Sequence, residues 1–379
     1  MVPIDANDEF QLRNDVIYLN HAGVSPWPMR TAKAVREFAE ENMREGSLHY
    51  PAWLGVETEL RRRAMQLLNA PSEDDIALLK NTSEALSVIA YGLDWKDGDN
   101  IVISNQEFPS NRIVWESLAH KGVELREADL SGPSTPENAV ISMSDGDTRL
   151  ISVSSVQFST GLRMDLEAIG SFCRRRGILF CVDAIQSLGA VQLDVRNIDA
   201  DFVMADGHKW MLGPEGLAVF YSNPESRNHV RLNQYGWHMV EDAGNFDRRE
   251  WSIARTARRF ECGSPNMLGI HALNASLSLL LEQGMDNIER EVLKRSEYLF
   301  EKISARPELE LITSTGPDRY AGIVTFRRRD ADPALLYRHL MQNNVVCALR
   351  SGGIRLSPHF YTPYEKLDHV LELVEEYRV

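Results

Sequence analysis

The sequence predicts an α/β protein in which a large domain built on a mostly parallel, mixed sheet is followed by a small carboxyl-terminal α+β domain. Three observations lead there. Between residues 70 and 224, short β-branched runs alternate with amphipathic stretches, the pattern of parallel strands joined by helical crossovers. After Gly284 a long helix with Glu, Arg and Lys on its outer face opens a region of short, separate strands. A chain of 379 residues, 43% apolar and 25% charged, also has the apolar surface for one large core and a second, smaller one.

Taken in order, the large domain is expected to hold strands at 99–104, 150–156, 178–183 and 201–205. Its helices are expected at 82–93, 110–121, 165–176 and 267–283, the third following a break at Gly161. The small domain is expected to carry strands near 310–312, 322–327 and 345–349 and to close on a helix over 364–377. The expected divisions are 1–20, an amino-terminal segment packing near the small domain, 21–283 and 284–379. Repeats, low-complexity tracts and Pro-rich linkers are absent from the sequence.

A net charge of −14 and a pI near 5.3 argue against nucleic acid or an anionic membrane surface as a partner, since either needs a basic face. No run approaches the roughly 20 apolar residues of a membrane span, and the polar amino terminus does not resemble a signal peptide. Cys173, Cys181, Cys262 and Cys347 lack CxxC spacing, so reduced thiols in a cytoplasmic protein are expected. The ten histidines show no HExxH-like spacing, so no metal site is expected. No GxGxxG follows a first strand, which disfavours a nucleotide-dependent dehydrogenase.

Open α/β sheets bind ligands beyond the carboxyl ends of their strands, and four stretches there carry chemistry. Asp183, at the tip of an apolar strand, needs a cationic partner such as a protonated pyridine nitrogen, although an Asp capping the next turn reads the same. Lys209, in Asp206-Gly207-His208-Lys209-Trp210, sits between a strand end and a Gly-rich turn, where an amine of lowered pKa can form an imine with an aldehyde. Lys80-Asn81-Thr82-Ser83 opens a helix whose free N–H groups suit an anion, or is plain capping. Phe108, just past another strand, is placed to lie on a planar cofactor or to fill the core.

With Tyr18-Leu19-Asn20-His21-Ala22-Gly23 and Arg259-Phe260-Glu261-Cys262-Gly263-Ser264-Pro265-Asn266, these stretches make the chain resemble the class V aminotransferase superfamily over nearly its whole length. The resemblance implies a pyridoxal-5′-phosphate (PLP) enzyme of fold type I. It implies Lys209 as the cofactor-bearing lysine, Asp183 on the pyridine nitrogen, Gln186 on the ring hydroxyl and Phe108 stacked on the ring. Thr82, Ser83 and His208 would hold the phosphate, and Ser264 would reach it from a second subunit, giving a homodimer with shared active sites. The amino acid substrate would meet Arg355, with Arg350, Asn20 and His21 nearby.

Two departures bear on activity. Cysteine desulfurases carry a nucleophilic Cys on a mobile loop ahead of the carboxylate-binding Arg, whereas only Ser351 to Ile354 separate Arg350 from Arg355 here, without a Cys. They also stack a His on the ring where this chain has Phe108. A persulfide-forming desulfurase is therefore disfavoured, and Gln157-Phe158-Ser159-Thr160-Gly161 points to the chemically mixed isopenicillin N epimerase-like branch. The expected activity is aminotransferase, with C–S lyase or amino acid epimerase as alternatives and a non-catalytic binding protein as the rival.

Overall fold

The computed structural model describes residues 6–378; the first five residues of the expected amino-terminal segment lie outside them. Thirteen strands are found among the described residues. They are β1 (Ile17–Tyr18), β2 (Ile76–Leu79), β3 (Asn100–Ser104), β4 (Glu124–Ala128), β5 (Thr148–Ser154), β6 (Leu179–Asp183) and β7 (Phe202–Asp206). They continue with β8 (Ala218–Ser222), β9 (Leu309–Leu311), β10 (Val324–Arg328), β11 (Val345–Val346), β12 (Ala348–Arg350) and β13 (Gly353–Leu356).

Seven strands form the central sheet in the order β2-β8-β7-β6-β5-β3-β4, with β8 antiparallel to both neighbours and the rest running one way. Its strands are apolar on both faces because helices cover both. Val102, Ile151, Val153, Phe180, Val182 and Val203 pack on one side, towards the helices Tyr50–Leu68, Leu166–Arg176 and Met267–Gln283. Their immediate neighbours Ile101, Ile103, Leu150, Cys181, Phe202 and Met204 alternate to the other side, against the helices Thr82–Gly92 and Ser110–Glu116. The mostly parallel mixed sheet is as expected. Strands β2, β4 and β8 and the two long helices Met29–Glu45 and Tyr50–Leu68 were not anticipated.

A second, antiparallel sheet, β12-β13-β10-β9, gathers a separate apolar cluster with Leu299, Leu340 and Leu371. Ile17 and Leu19 belong to this cluster, and β1 runs parallel to β11. The strand expected over 345–349 divides at Cys347: its first half pairs with β1 and its second with β13. The two sheets meet closely at Trp210, whose ring lies so near Gly322 that a Cβ there would stand 2.3 Å from it.

A buried ionic knot ties the segment before Met267 to the sheet. Arg61 donates to Glu261 at 2.6 and 2.8 Å, to the Ile76 carbonyl at 2.9 Å and to Glu57, while Glu261 also accepts the Leu78 N–H at 2.8 Å. His238 lies beside it, 3.8 Å from Glu261. Among the described residues Glu57, His238 and Glu261 are the one group with metal-ligand spacing, and the Arg61 guanidinium already bridges its two carboxylates. Removing one member of a buried ion group strands the others. Arg61→Met is expected to lower stability by about 3–5 kcal/mol, read as a shift of the urea midpoint at constant slope.

Candidate active site

Strands β6 and β7 lie side by side and parallel, so their last residues, Asp183 and Asp206, end at the same edge of the sheet. The turn after β7 brings Lys209 back to that edge, where it is 9% exposed, and Asp183 is 1% exposed. Burial raises the Asp183 carboxyl's affinity for a proton, opposed by the Ile185 N–H at 3.0 Å and by Lys209. Burial likewise lowers that of the Lys209 amine, opposed by Asp183. Each group therefore holds its charge less firmly than in water.

Lys209 Nζ faces the Phe108 ring, 5.5 Å from its centroid. Phe108 meets Phe158 edge to face at 5.1 Å, and its pose is set by the residue before it. Glu107 is buried and accepts from Ser104 Oγ at 2.7 Å, Ser154 N at 3.0 Å, Asn111 Nδ2 at 2.8 Å and Gln157 Nε2 at 3.1 Å. Glu107 carries no signal in the sequence, because donors some fifty residues away cannot be paired with it from spacing alone.

The helix Thr82–Gly92 begins beside these residues. Asn81 caps it by accepting the Glu84 N–H at 2.8 Å, and Ser83 bonds Ser110 at 2.9 Å. Thr82 Oγ1 and His208 Nδ1 are buried without a hydrogen-bond partner. Burial, and then Lys209, push His208 down to about 4, so its ring is neutral. Gln186 donates to the Ala22 carbonyl at 3.1 Å and accepts from Trp210 at 2.9 Å, which leaves one amide hydrogen for a ligand.

Arg355 rises from the middle of β13 at 2% exposure. It donates to the Phe158 carbonyl at 2.7 Å and to Asn20 Oδ1 at 3.0 Å, while its Nε has no partner. Among the described residues no carboxylate pairs with it, and burial followed by Arg350 pushes it down to about 9. Arg350 ends β12 and, among the described residues, donates only to the Leu349 carbonyl. The link between these strands is the two-residue turn Ser351–Gly352, both residues in the left-handed region at φ 47 and 69.

Lys209, Asp183, Gln186, Phe108, Arg350 and Arg355 thus line one cavity of about 250 Å³ together with Thr82 and His208. Two expected substrate contacts, Asn20 and His21, are not among the residues that line this cavity. Asn20 spends its side-chain oxygen on Arg355, and His21 is fully buried with both ring nitrogens engaged, by the Ser357 carbonyl at 2.8 Å and Tyr361 at 2.6 Å. Both stand behind the cavity as supports. Ser264 lies apart, in a separate hollow with Lys80, Gly216 and Asn266. None of the four thiols lines the cavity, and burial pushes Cys347 up to about 12.

This set suits PLP. The unpartnered Thr82 and His208 atoms at a helix N-terminus accommodate a phosphate, Asp183 a cationic ring nitrogen, and Lys209 an aldehyde. The comparisons agree. The family model for Aminotransferase class-V matches residues 17–364. A probable cysteine desulfurase from Methanothermobacter thermautotrophicus is 30% identical, the match covering 98% of this chain and 97% of that one. A solved cysteine desulfurase from Thermococcus onnurineus NA1 superimposes with a TM-score of 0.88 at 25% identity, covering 99% and 98%. The complex of the cystine C–S lyase C-DES with cysteine persulfide shares the fold, with a TM-score of 0.87 at 22% identity over 96% and 98%. Its residues, its fold and its relatives place this chain in the class V aminotransferase family of PLP-dependent enzymes.

Proposed function

We propose that the protein is a C–S lyase acting on cysteine or an S-substituted cysteine, and that the sulfur leaves with the product instead of passing to a thiol of the enzyme. The observation that carries this reading is the thiol-free Ser351–Gly352 turn between the two cavity arginines. Relatives named for removing sulfur from cysteine supply the substrate class. This moves the balance from the aminotransferase expected from sequence to the C–S lyase alternative.

Arg355 receives the substrate carboxylate. A buried cation whose only partners are neutral gains most from an arriving anion, and its fork geometry matches a carboxylate. Arg350, nearer the cavity mouth, is available to a second acidic group on the far side of the sulfur. PLP, when bound, would supply an acceptor for the electron pair left on Cα, and Asp183 is the carboxylate that would keep its ring nitrogen protonated. Lys209 Nζ, whose hold on its own proton burial has weakened, takes the Cα proton. Phe108, which Lys209 Nζ faces, has no proton to return to Cα, which disfavours inversion. With that pair accepted, loss of the Cβ–S bond would release the sulfur as a thiolate, and addition of water to the three-carbon remainder would give pyruvate and ammonium.

The reading includes a homodimer with shared sites. Ser264 stands away from the cavity of its own chain, and Phe246 and Trp251 are 78% and 60% exposed. No helix among the described residues is long and apolar enough to cross a membrane, and the four free thiols support the cytoplasm.

Three outcomes are expected. With L-cysteine or L-cystine, pyruvate forms in step with released sulfur. Alanine with sulfur left on the protein would instead indicate a desulfurase, and keto acid formed only with an amino acceptor would indicate an aminotransferase. Replacing Cys262 and Cys347 together by Ala leaves turnover within about twofold, whereas loss of turnover would mark a thiol intermediate. Arg355→Gln raises KM by roughly tenfold to a hundredfold with a smaller effect on kcat. Because that variant removes a buried charge lacking an anionic partner, its Tm should not fall.

A further inference from the structure

Asp206 occupies the place where the phosphate reading of Thr82 and His208 requires an anion. Its Oδ1 accepts the Thr82 N–H, the first of the helix Thr82–Gly92, at 3.2 Å. Its Oδ2 lies 3.9 Å from His208 Nδ1. The next side-chain donor along, Thr82 Oγ1, is buried and unpartnered. A helix start has few free donors. Here a carboxylate of the protein already holds one of them and stands 3.9 Å from His208 Nδ1, the other unpartnered group of the cradle.

We propose that Asp206 makes seating of the cofactor phosphate a proton-coupled event: the carboxylate takes up a proton when the phosphate arrives, and so turns from a competing anion into a donor. This rests on the reading of Thr82 and His208 as the phosphate cradle. The charges around Asp206 decide how readily it does so. Lys209 and the neutral His208 face it from its own turn, Glu215 from the following loop and Asp183 from β6. From the helix it receives only the Thr82 N–H. Burial, the largest influence, and Glu215 oppose the carboxylate, and they outweigh Lys209 and the Thr82 N–H, which favour it, pushing the carboxyl up to about 6. A phosphate added to this setting opposes the carboxylate further. By linkage, whatever raises the proton affinity of Asp206 on binding must weaken binding as pH rises above that range. The device would let a mildly acidic medium load the apoprotein and an alkaline one empty it.

The test uses apoprotein and pyridoxamine 5′-phosphate, which has no aldehyde and so leaves Lys209 free. Calorimetric titration at about pH 8, in buffers of different ionisation heat, counts the protons taken up on binding. The wild type should take up about one proton more than Asp206→Asn, and the variant should bind about tenfold or more tightly. Asp206→Ser should behave as Asp206→Asn does, which guards against a fault peculiar to one substitution. Unphosphorylated pyridoxamine should bind all three proteins alike. Equal proton counts and equal affinities across the three proteins would overturn the role of Asp206. A wild type that binds pyridoxamine as well as its phosphate ester would overturn the cradle itself, and the proposal with it.

Discussion

Asp183, Asp206, Lys209 and Arg355 are charges withdrawn from water at one edge of one structure, and the chain must hold them there without letting them neutralise one another. A lone buried charge is costly, and the usual remedy is a tight ion pair. Arg61 takes that remedy with Glu57 and Glu261, away from the cavity. The cavity groups do not. Arg355 is satisfied by a carbonyl and an amide oxygen, and Asp183 by a backbone N–H. Each is left polar but unneutralised, ready for a ligand that carries the missing charge. The stability given up at this edge is available as affinity and as shifted proton affinities when the ligand arrives.

The supports of this arrangement come from elements far apart in the chain. Asn20, next to β1, aims Arg355, and His21 binds the Ser357 carbonyl just past β13. Glu107 clamps the loop of Phe108 to β5 through Ser154. Trp210 links Gln186, in the turn just past β6, with Gly322 near the small sheet. Substrate and cofactor groups would thus be held by side chains that are themselves held, which gives catalytic geometry its precision.

Much of this was legible in the sequence, for identifiable reasons. The expected strand at 178–183 became Leu179–Asp183, and the helix Met267–Gln283 has the expected bounds, because both rest on strong local periodicity. Lys209 and Asp183 stood out because a charged residue after an apolar strand is conspicuous in the letters alone. Strand β8 was missed because it follows a Gly-Pro-rich turn and runs against the others, which no crossover pattern announces. His21 looked like a pocket residue because sequence cannot tell a buried, satisfied imidazole from a free one. Asp206 lay inside a motif read for its lysine, and its significance depends on Thr82, more than a hundred residues earlier.

The claim on which the rest depends is that this edge of the sheet holds PLP on Lys209. Borohydride reduction of the purified protein, followed by mass mapping of its peptides, addresses it directly. The account predicts loss of the yellow chromophore and a single pyridoxyl label on the peptide containing Lys209. A protein that takes up no PLP, or a label carried on another lysine, would contradict it.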